Sequence, residues 1–176
     1  FERTYDGALL PEFEAMLAQR RPDEKLFIVL HTKGSHFEFS RRVPEEFRRF
    51  ETQGGTRRER LVNAYDDTIA YTDWFLNQLM DAMAKRKLSA ALIYASDHGE
   101  NLLDDSRQLF GHALGTEYDL RTASLLWFSD ALRRENPAAF ESARMHADSK
   151  LSLSDLPHSA LQLAGIEASG IDLSKS

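Results

Sequence analysis

The chain has 176 residues, 42% of them hydrophobic and 28% charged, the profile of one soluble globular domain with a sizeable core. Its net charge of −6, from 22 basic and 28 acidic residues, excludes the basic face that nucleic-acid binding requires. The absence of cysteine excludes disulfides, thiolate metal sites and a cysteine nucleophile, and no apolar run approaches the 18 residues of a bilayer span. The first residues, Phe1-Glu2-Arg3-Thr4, show neither an initiator methionine nor a signal-peptide pattern, so a fragment of a longer protein is expected.

In chain order, Leu9, Phe13, Met16 and Leu17 recur at helical spacing, with Pro11 in the first turn where its missing N–H is harmless. Arg21-Pro22-Asp23 ends that helix and leads into an apolar run, Leu26-Phe27-Ile28-Val29-Leu30, of the kind buried on both faces of a parallel sheet. Histidines follow in His31-Thr32-Lys33-Gly34-Ser35-His36. Residues 37–44 read as an extended loop and 45–50 as a short helical turn. Arg41, Arg42, Arg48, Arg49, Arg57 and Arg58 make this the most basic region, either a solvated surface or a rim attracting phosphorylated lipid or sugar.

The longest helical pattern covers 58–87, where Leu61, Tyr65, Thr68, Ile69, Thr72, Phe75, Leu76, Leu79, Met80 and Met83 form one stripe. A second strand is predicted at 90–96, completing a βαβ unit, and a third at 123–128. Residues 101–119 read as a loop in which Asp104 and Asp105 are solvated. A peripheral helix is expected at 136–146, with His146 on the surface. The last helix starts at Ser154-Asp155-Leu156-Pro157 and stops at Gly165, with His158 structural and a frayed tail from Glu167.

The carboxyl end of the 90–96 strand runs into Ser96-Asp97-His98-Gly99-Glu100. Open α/β sheets place their ligands at such strand ends, and carboxylate and imidazole both bind Zn²⁺. The plain alternative is a strand end with solvated polar residues. Against it stand the histidines after the first apolar run and a further histidine in Phe110-Gly111-His112.

Together with Asn63-Ala64-Tyr65-Asp66-Asp67-Thr68, these segments resemble, in order and spacing, the phosphoethanolamine transferases of the sulfatase-like branch of the alkaline phosphatase superfamily. The resemblance runs from about Leu9 to about Leu163. It implies an α/β fold: a three-layer α/β/α alkaline-phosphatase-like (sulfatase-like) core with a mainly parallel sheet, present here as a partial domain. On this reading residues 1–176 are the C-terminal part of the catalytic domain. The lack of cysteine, and Thr122-Ala123 where many relatives have Val-Pro, depart from the commoner pattern.

The resemblance also implies the chemistry. Phosphoethanolamine moves from phosphatidylethanolamine to a lipopolysaccharide-type or glycan acceptor through a metal-activated threonine, which lies upstream of this fragment. Asp97 and His98 map to ligands of Zn²⁺, with a second divalent metal as a further option. His36, His112 and Glu100 map to catalytic positions, and Asn63, His36 and His112 to the substrate side. The implied partners are the phospholipid donor, the lipopolysaccharide or glycan acceptor and the missing N-terminal half, with membrane anchoring through upstream helices at the periplasmic face of the bacterial inner membrane. The fragment alone is expected to be inactive and prone to self-association. The alternatives are another sulfatase-like hydrolase, a phosphoglycerol transferase, or a non-catalytic module that retains the fold.

Overall fold

Apolar residues at three- and four-residue steps bury one stripe of a helix and leave the rest in water. The computed structural model, which describes residues 4–166, follows that rule in its two principal helices. Helix α1 spans Leu10–Gln19 with Pro11 in its first turn, and buries Phe13 and Leu17. Helix α2 spans Arg57–Lys85 and buries Tyr71, Phe75, Leu79, Ala82 and Met83. It ends where Lys87 takes a left-handed φ of 53°. There the N–H of Lys87 donates to Ala84 O at 2.8 Å and that of Leu88 to Met83 O at 3.1 Å, which satisfies carbonyls that the helix end leaves open. The expected tail from Glu167 lies outside the described residues.

The chain divides into two units, one running to Ala82 and resuming at His98–Arg121, the other comprising Met83–Asp97 and the residues from Thr122 on. In the first, Tyr71 and Trp74 stack with ring centroids 5.4 Å apart, and Phe47 packs on both rings. The Tyr71 hydroxyl accepts from Gly7 N at 3.1 Å. A Cβ on Gly7 would stand 2.7 Å from that oxygen, so glycine is what lets the N-terminal turn approach α2. Phe39 and Val43, 3% and 0% exposed, anchor the turn that follows His36.

The second unit holds β1, Ala91–Ala95, then β4, Ser124–Phe128; α4, Asp130–Glu135; α5, Pro137–Met145; and α6, Leu156–Ala164. Strands β2, Asn101–Leu102, and β3, Phe110–Gly111, with the one-turn helix α3, Glu117–Leu120, belong to the first unit. Ser129 caps α4 by accepting from Leu132 N at 3.2 Å and also accepts from Ala90 N at 3.0 Å. Gly165 ends α6 at φ 66°. His146 is exposed, with Nδ1 2.8 Å from Ser142 O, and His158 is half-buried in α6. No helix of the described residues is long and apolar enough to cross a membrane.

The strand pairing departs from expectation in two respects. Residues 26–30 lie in no helix or strand and form no ladder among the described residues, and Phe27 and Val29 are 67% and 76% exposed rather than buried. An apolar run becomes a buried parallel strand only with a neighbour on each side and cover on both faces. Of the expected strands, the two that pair are β1 and β4, and they do so antiparallel, from Ala91 opposite Phe128 to Ala95 opposite Ser124. A parallel pairing needs a crossover, usually an α-helix of a dozen or more residues. Between β1 and β4 the chain offers only a short hairpin and the single turn of α3.

Candidate functional site

The polar residues after β1 are placed by backbone packing. Gly99 N donates to Asp119 O at 2.9 Å. A Cβ at this position would collide with the carbonyl oxygens of Tyr118 and Arg121. The glycine between His98 and Glu100 therefore serves a close approach of two backbones.

The expected loop 101–119 is more ordered than its composition implies. Asn101 and Leu102 pair antiparallel with Gly111 and Phe110, and this hairpin returns His112 to Glu100. Asn101, 1% exposed, donates from its side-chain nitrogen to Gly111 O at 2.8 Å and to Asp119 Oδ1 at 3.3 Å. The Asp119 carboxylate also accepts the backbone N–H groups of Leu114, Gly115 and Thr116 at 2.7, 3.0 and 2.8 Å, and the Thr116 hydroxyl. That hydroxyl bond, with the N–H bonds and the Asn101 amide, holds the Asp119 carboxyl well below the usual carboxylate range. Asp119 thus fixes the segment after His112. Its signal in the sequence is Thr116-x-x-Asp119, a capping-box pattern. Asp104, expected to be solvated, instead accepts from Leu102 N at 2.7 Å and pairs with Arg58 at 3.3 Å.

His36 arrives on a second braced loop. Asp6 accepts from Lys33 N and Gly34 N, both at 2.9 Å. Thr68, 1% exposed on α2, donates to Ser35 Oγ at 2.6 Å. Beside it Asp67 is buried and accepts from Arg49 N and Phe50 N at 2.7 and 3.2 Å. Asn63 donates from its side-chain nitrogen to Glu51 O at 2.6 Å. The Asn63–Thr68 stretch therefore braces the loops on either side of the basic turn, a role its sequence did not announce. Asp66 lies among them with its carboxyl raised, by burial first and by the charge of Asp67 second.

The histidines meet in the first unit. The rings of His98 and His112 stack with centroids 3.9 Å apart, and the His36 ring lies edge-on to His112 at 6.3 Å. Glu100, 8% exposed, places Oε1 at 2.8 Å from His112 Nδ1, while its Oε2 is buried without a hydrogen-bond partner. One ligand atom from each of His98, Glu100 and His112 lies within 4.8 Å of the others. Asp97, the residue before His98, is exposed and belongs to the other unit.

The ring contacts set the tautomers. His98 Nδ1 lies 2.8 Å from Gly99 O, and a carbonyl can only accept, so Nδ1 carries the proton and Nε2 the lone pair. His112 Nδ1 faces the Glu100 carboxylate at 2.8 Å. Two imidazoles and the Glu100 carboxylate, whose Oε2 is buried without a hydrogen-bond partner, form a donor set that fits a divalent cation such as Zn²⁺. The basic rim is largely engaged within the protein. Arg41 pairs with Glu38 at 3.0 Å, Arg48 donates to Ser40 O at 2.9 Å, and Arg58 donates to Leu103 O at 3.1 Å. Arg42 is different, with Nη2 3.4 Å from His36 Nδ1.

The Sulfatase family model matches residues 1–166. The chain is 33% identical over 156 residues to the Kdo(2)-lipid A phosphoethanolamine 7''-transferase of Escherichia coli K12, covering 83% of this chain and 27% of that protein. It is 29% identical over 175 residues to phosphoethanolamine transferase EptA of the same organism, covering 93% of this chain and 32% of that protein. The structure of the C-terminal periplasmic domain of phosphoethanolamine transferase EptC from Campylobacter jejuni superimposes with a TM-score of 0.84 at 26% identity, covering 99% of this chain and 58% of that one. The chain therefore spans about a quarter to a third of the length of these curated relatives.

Proposed function

The chain belongs to the sulfatase family and has its α/β alkaline-phosphatase-like fold, and we propose that its protein moves phosphoethanolamine from phosphatidylethanolamine to a lipopolysaccharide-type or glycan acceptor. The observation that carries this reading is the gathering of His98, Glu100 and His112 beside His36, in a chain similar to phosphoethanolamine transferases along most of its length. His98, Glu100 and His112 would hold the metal, with Asp97 joining them by the family resemblance. When bound, Zn²⁺ lowers the pKa of an attacking hydroxyl and stabilises charge on the phosphoryl oxygens.

The protein's own groups supply orientation. Glu100 Oε1 lies 2.8 Å from His112 Nδ1 and fixes that ring beside His98. Asp119 and Asn101 fix the segment after that ring, and Ser35–Thr68 fixes the approach to His36. Asn63, His36 and His112 form the substrate side, Asn63 from its position bracing Glu51. The attacking threonine is assigned to the part of the relatives' length that this chain does not span, as are the helices anchoring the protein at the periplasmic face of the inner membrane. Residues 26–30, in no ladder among the described residues and with Phe27 and Val29 exposed, support pairing with that N-terminal part. An apolar edge of this kind also favours self-association of the isolated chain.

The test is a transfer assay with phosphatidylethanolamine vesicles and lipid A, read by the mass gain of the acceptor. The protein with its upstream region transfers, His98→Ala abolishes transfer, and residues 1–176 alone do not transfer. Undiminished transfer by His98→Ala refutes the site, and transfer by residues 1–176 alone refutes the upstream nucleophile.

A further inference from the structure

The three histidines do not offer the same face. His98 Nδ1 and His112 Nδ1 each face an oxygen, Gly99 O and Glu100 Oε1, at 2.8 Å. His36 meets a guanidinium instead, with Arg42 Nη2 3.4 Å from its Nδ1. Guanidinium nitrogens only donate. The contact therefore requires a lone pair on His36 Nδ1 and puts the ring proton on Nε2. His36 is exposed, at the edge of the His98–His112 stack.

The arrangement is built. Arg42 follows a 3₁₀ turn, Phe39–Arg41, and its own N–H closes that turn on Phe39 O at 2.8 Å. The turn is pinned by buried Phe39 and Val43. The same Nη2 lies 3.4 Å from Phe37 O, one residue beyond His36. Arg42 Nε is buried with no hydrogen-bond partner, an arrangement that works against stability and calls for an explanation. On the other side Thr68 holds the Ser35 side chain, so the segments carrying ring and guanidinium are both braced.

Resting on the transferase reading above, we propose that Arg42 is a positioning residue that fixes His36 as the Nε2–H tautomer, so that His36 donates a hydrogen bond to a phosphoryl oxygen of the phosphodiester substrate and is not a metal ligand. His98 and His112 belong to the cluster that fits a cation, and His36 offers Nε2–H to the anion beside it. No bond is made or broken by His36, because its proton stays on Nε2 and stabilises negative charge. Arg42 adds a fixed positive charge behind the ring.

The experiment uses the full-length protein with ¹⁵N-labelled histidine, loaded with zinc. Long-range proton–nitrogen correlation reads the tautomer of His36 directly, with or without substrate. The wild type shows Nε2–H. Arg42→Met, which keeps the chain length but has no donors, loses that preference, and Arg42→Lys retains part of it. His36→Gln can place an amide N–H near the Nε2 position, whereas His36→Asn cannot. Transfer should fall about 10²-fold in His36→Asn, the loss expected for removing one donor to a developing oxyanion, and clearly less in His36→Gln. Neither variant should lower the zinc content per chain. An Nδ1–H tautomer in the wild type, or zinc lost from both variants, overturns the proposal. If Arg42→Met does not fold, the wild-type spectrum and Arg42→Lys still decide it. A correct tautomer in a protein that transfers no phosphoethanolamine would sink the transferase reading and leave the positioning role of Arg42 standing.

Discussion

Replacing Glu100 by Gln separates a metal-site carboxylate from a structural one, because the two roles predict opposite signs in metal-free protein. The substitution keeps the shape and removes the charge. In the structure one oxygen lies 2.8 Å from His112 Nδ1 and the other is buried without a partner. Burying a carboxylate costs several kcal/mol after relaxation. The charge-assisted bond to His112 returns about 1.5–3 kcal/mol, against about 0.5–1.5 for the neutral bond an amide oxygen would keep. The amide gives up about 1 kcal/mol of hydrogen bonding and avoids most of the desolvation. Metal-free Glu100→Gln should therefore unfold within about 3 °C of the wild type, or above it.

With metal the sign reverses. Loss of a ligand or of the carboxylate orienting one weakens metal affinity about 10–100-fold, which is about 1.4–2.8 kcal/mol. At a fixed excess of zinc the stabilisation falls by that amount, so the zinc-dependent gain in Tm shrinks by roughly 3–10 °C for a chain of this size. The measurements are thermal unfolding in chelator and in excess zinc, and a competition titration for affinity. A large fall in metal-free Tm with zinc affinity unchanged within about twofold would refute the reasoning. Glu100 would then be a brace for the His112 loop and nothing more.

Further tests follow from the braces. Asp119 has a depressed carboxyl, so its contribution to stability is present above the unfolded carboxylate pKa of about 4 and is lost as pH falls toward its lower folded value. Asp119→Asn should therefore flatten the acid limb of stability, which urea titrations at pH 3 and pH 6 will show. Gly99→Ala drives a methyl into the carbonyls of Tyr118 and Arg121 and should destabilise by about 1–3 kcal/mol or more, with zinc binding lost because His98 and Glu100 flank the shift; a variant with wild-type Tm and zinc affinity would refute the close approach. Thr68→Val removes the bond to Ser35 at about 1 kcal/mol, and should lower transfer while leaving zinc affinity unchanged, since it acts on the His36 loop.

Much of the candidate cluster was legible because its residues sit in compact segments. His98 and Glu100 follow an apolar run, His36 closes another, and His112 is framed by Gly111. The 29-residue helix Arg57–Lys85 was legible from periodicity, because a long stripe has few alternatives. The lack of pairing at 26–30 was not. Those residues have strand propensity, but pairing depends on neighbours far along the chain, which propensity does not encode. The hairpin after Glu100 was hidden for a different reason. Its two-residue strands, β2 and β3, are too short for any alternation, and they are held by Asn101, Thr116 and Asp119 rather than by an apolar face.

The roles of the histidines lay beyond the sequence on principle. An imidazole has two nitrogens, and the one that faces a ligand is set by what touches the other. For His98 that partner is the carbonyl of the next residue, a local contact that nothing in Asp-His-Gly-Glu signals. For His112 it is a glutamate 12 residues away, brought near only because a hairpin closes. For His36 it is an arginine from the basic turn six residues on, one of several arginines that look interchangeable along the chain. Arg41 faces Glu38, Arg48 faces a carbonyl, and Arg58 faces Leu103 and Asp104, so charge alone could not single out Arg42. Only the buried anchors Phe39 and Val43, which set the direction of that turn, decide which guanidinium reaches an imidazole and so which histidine presents a donor.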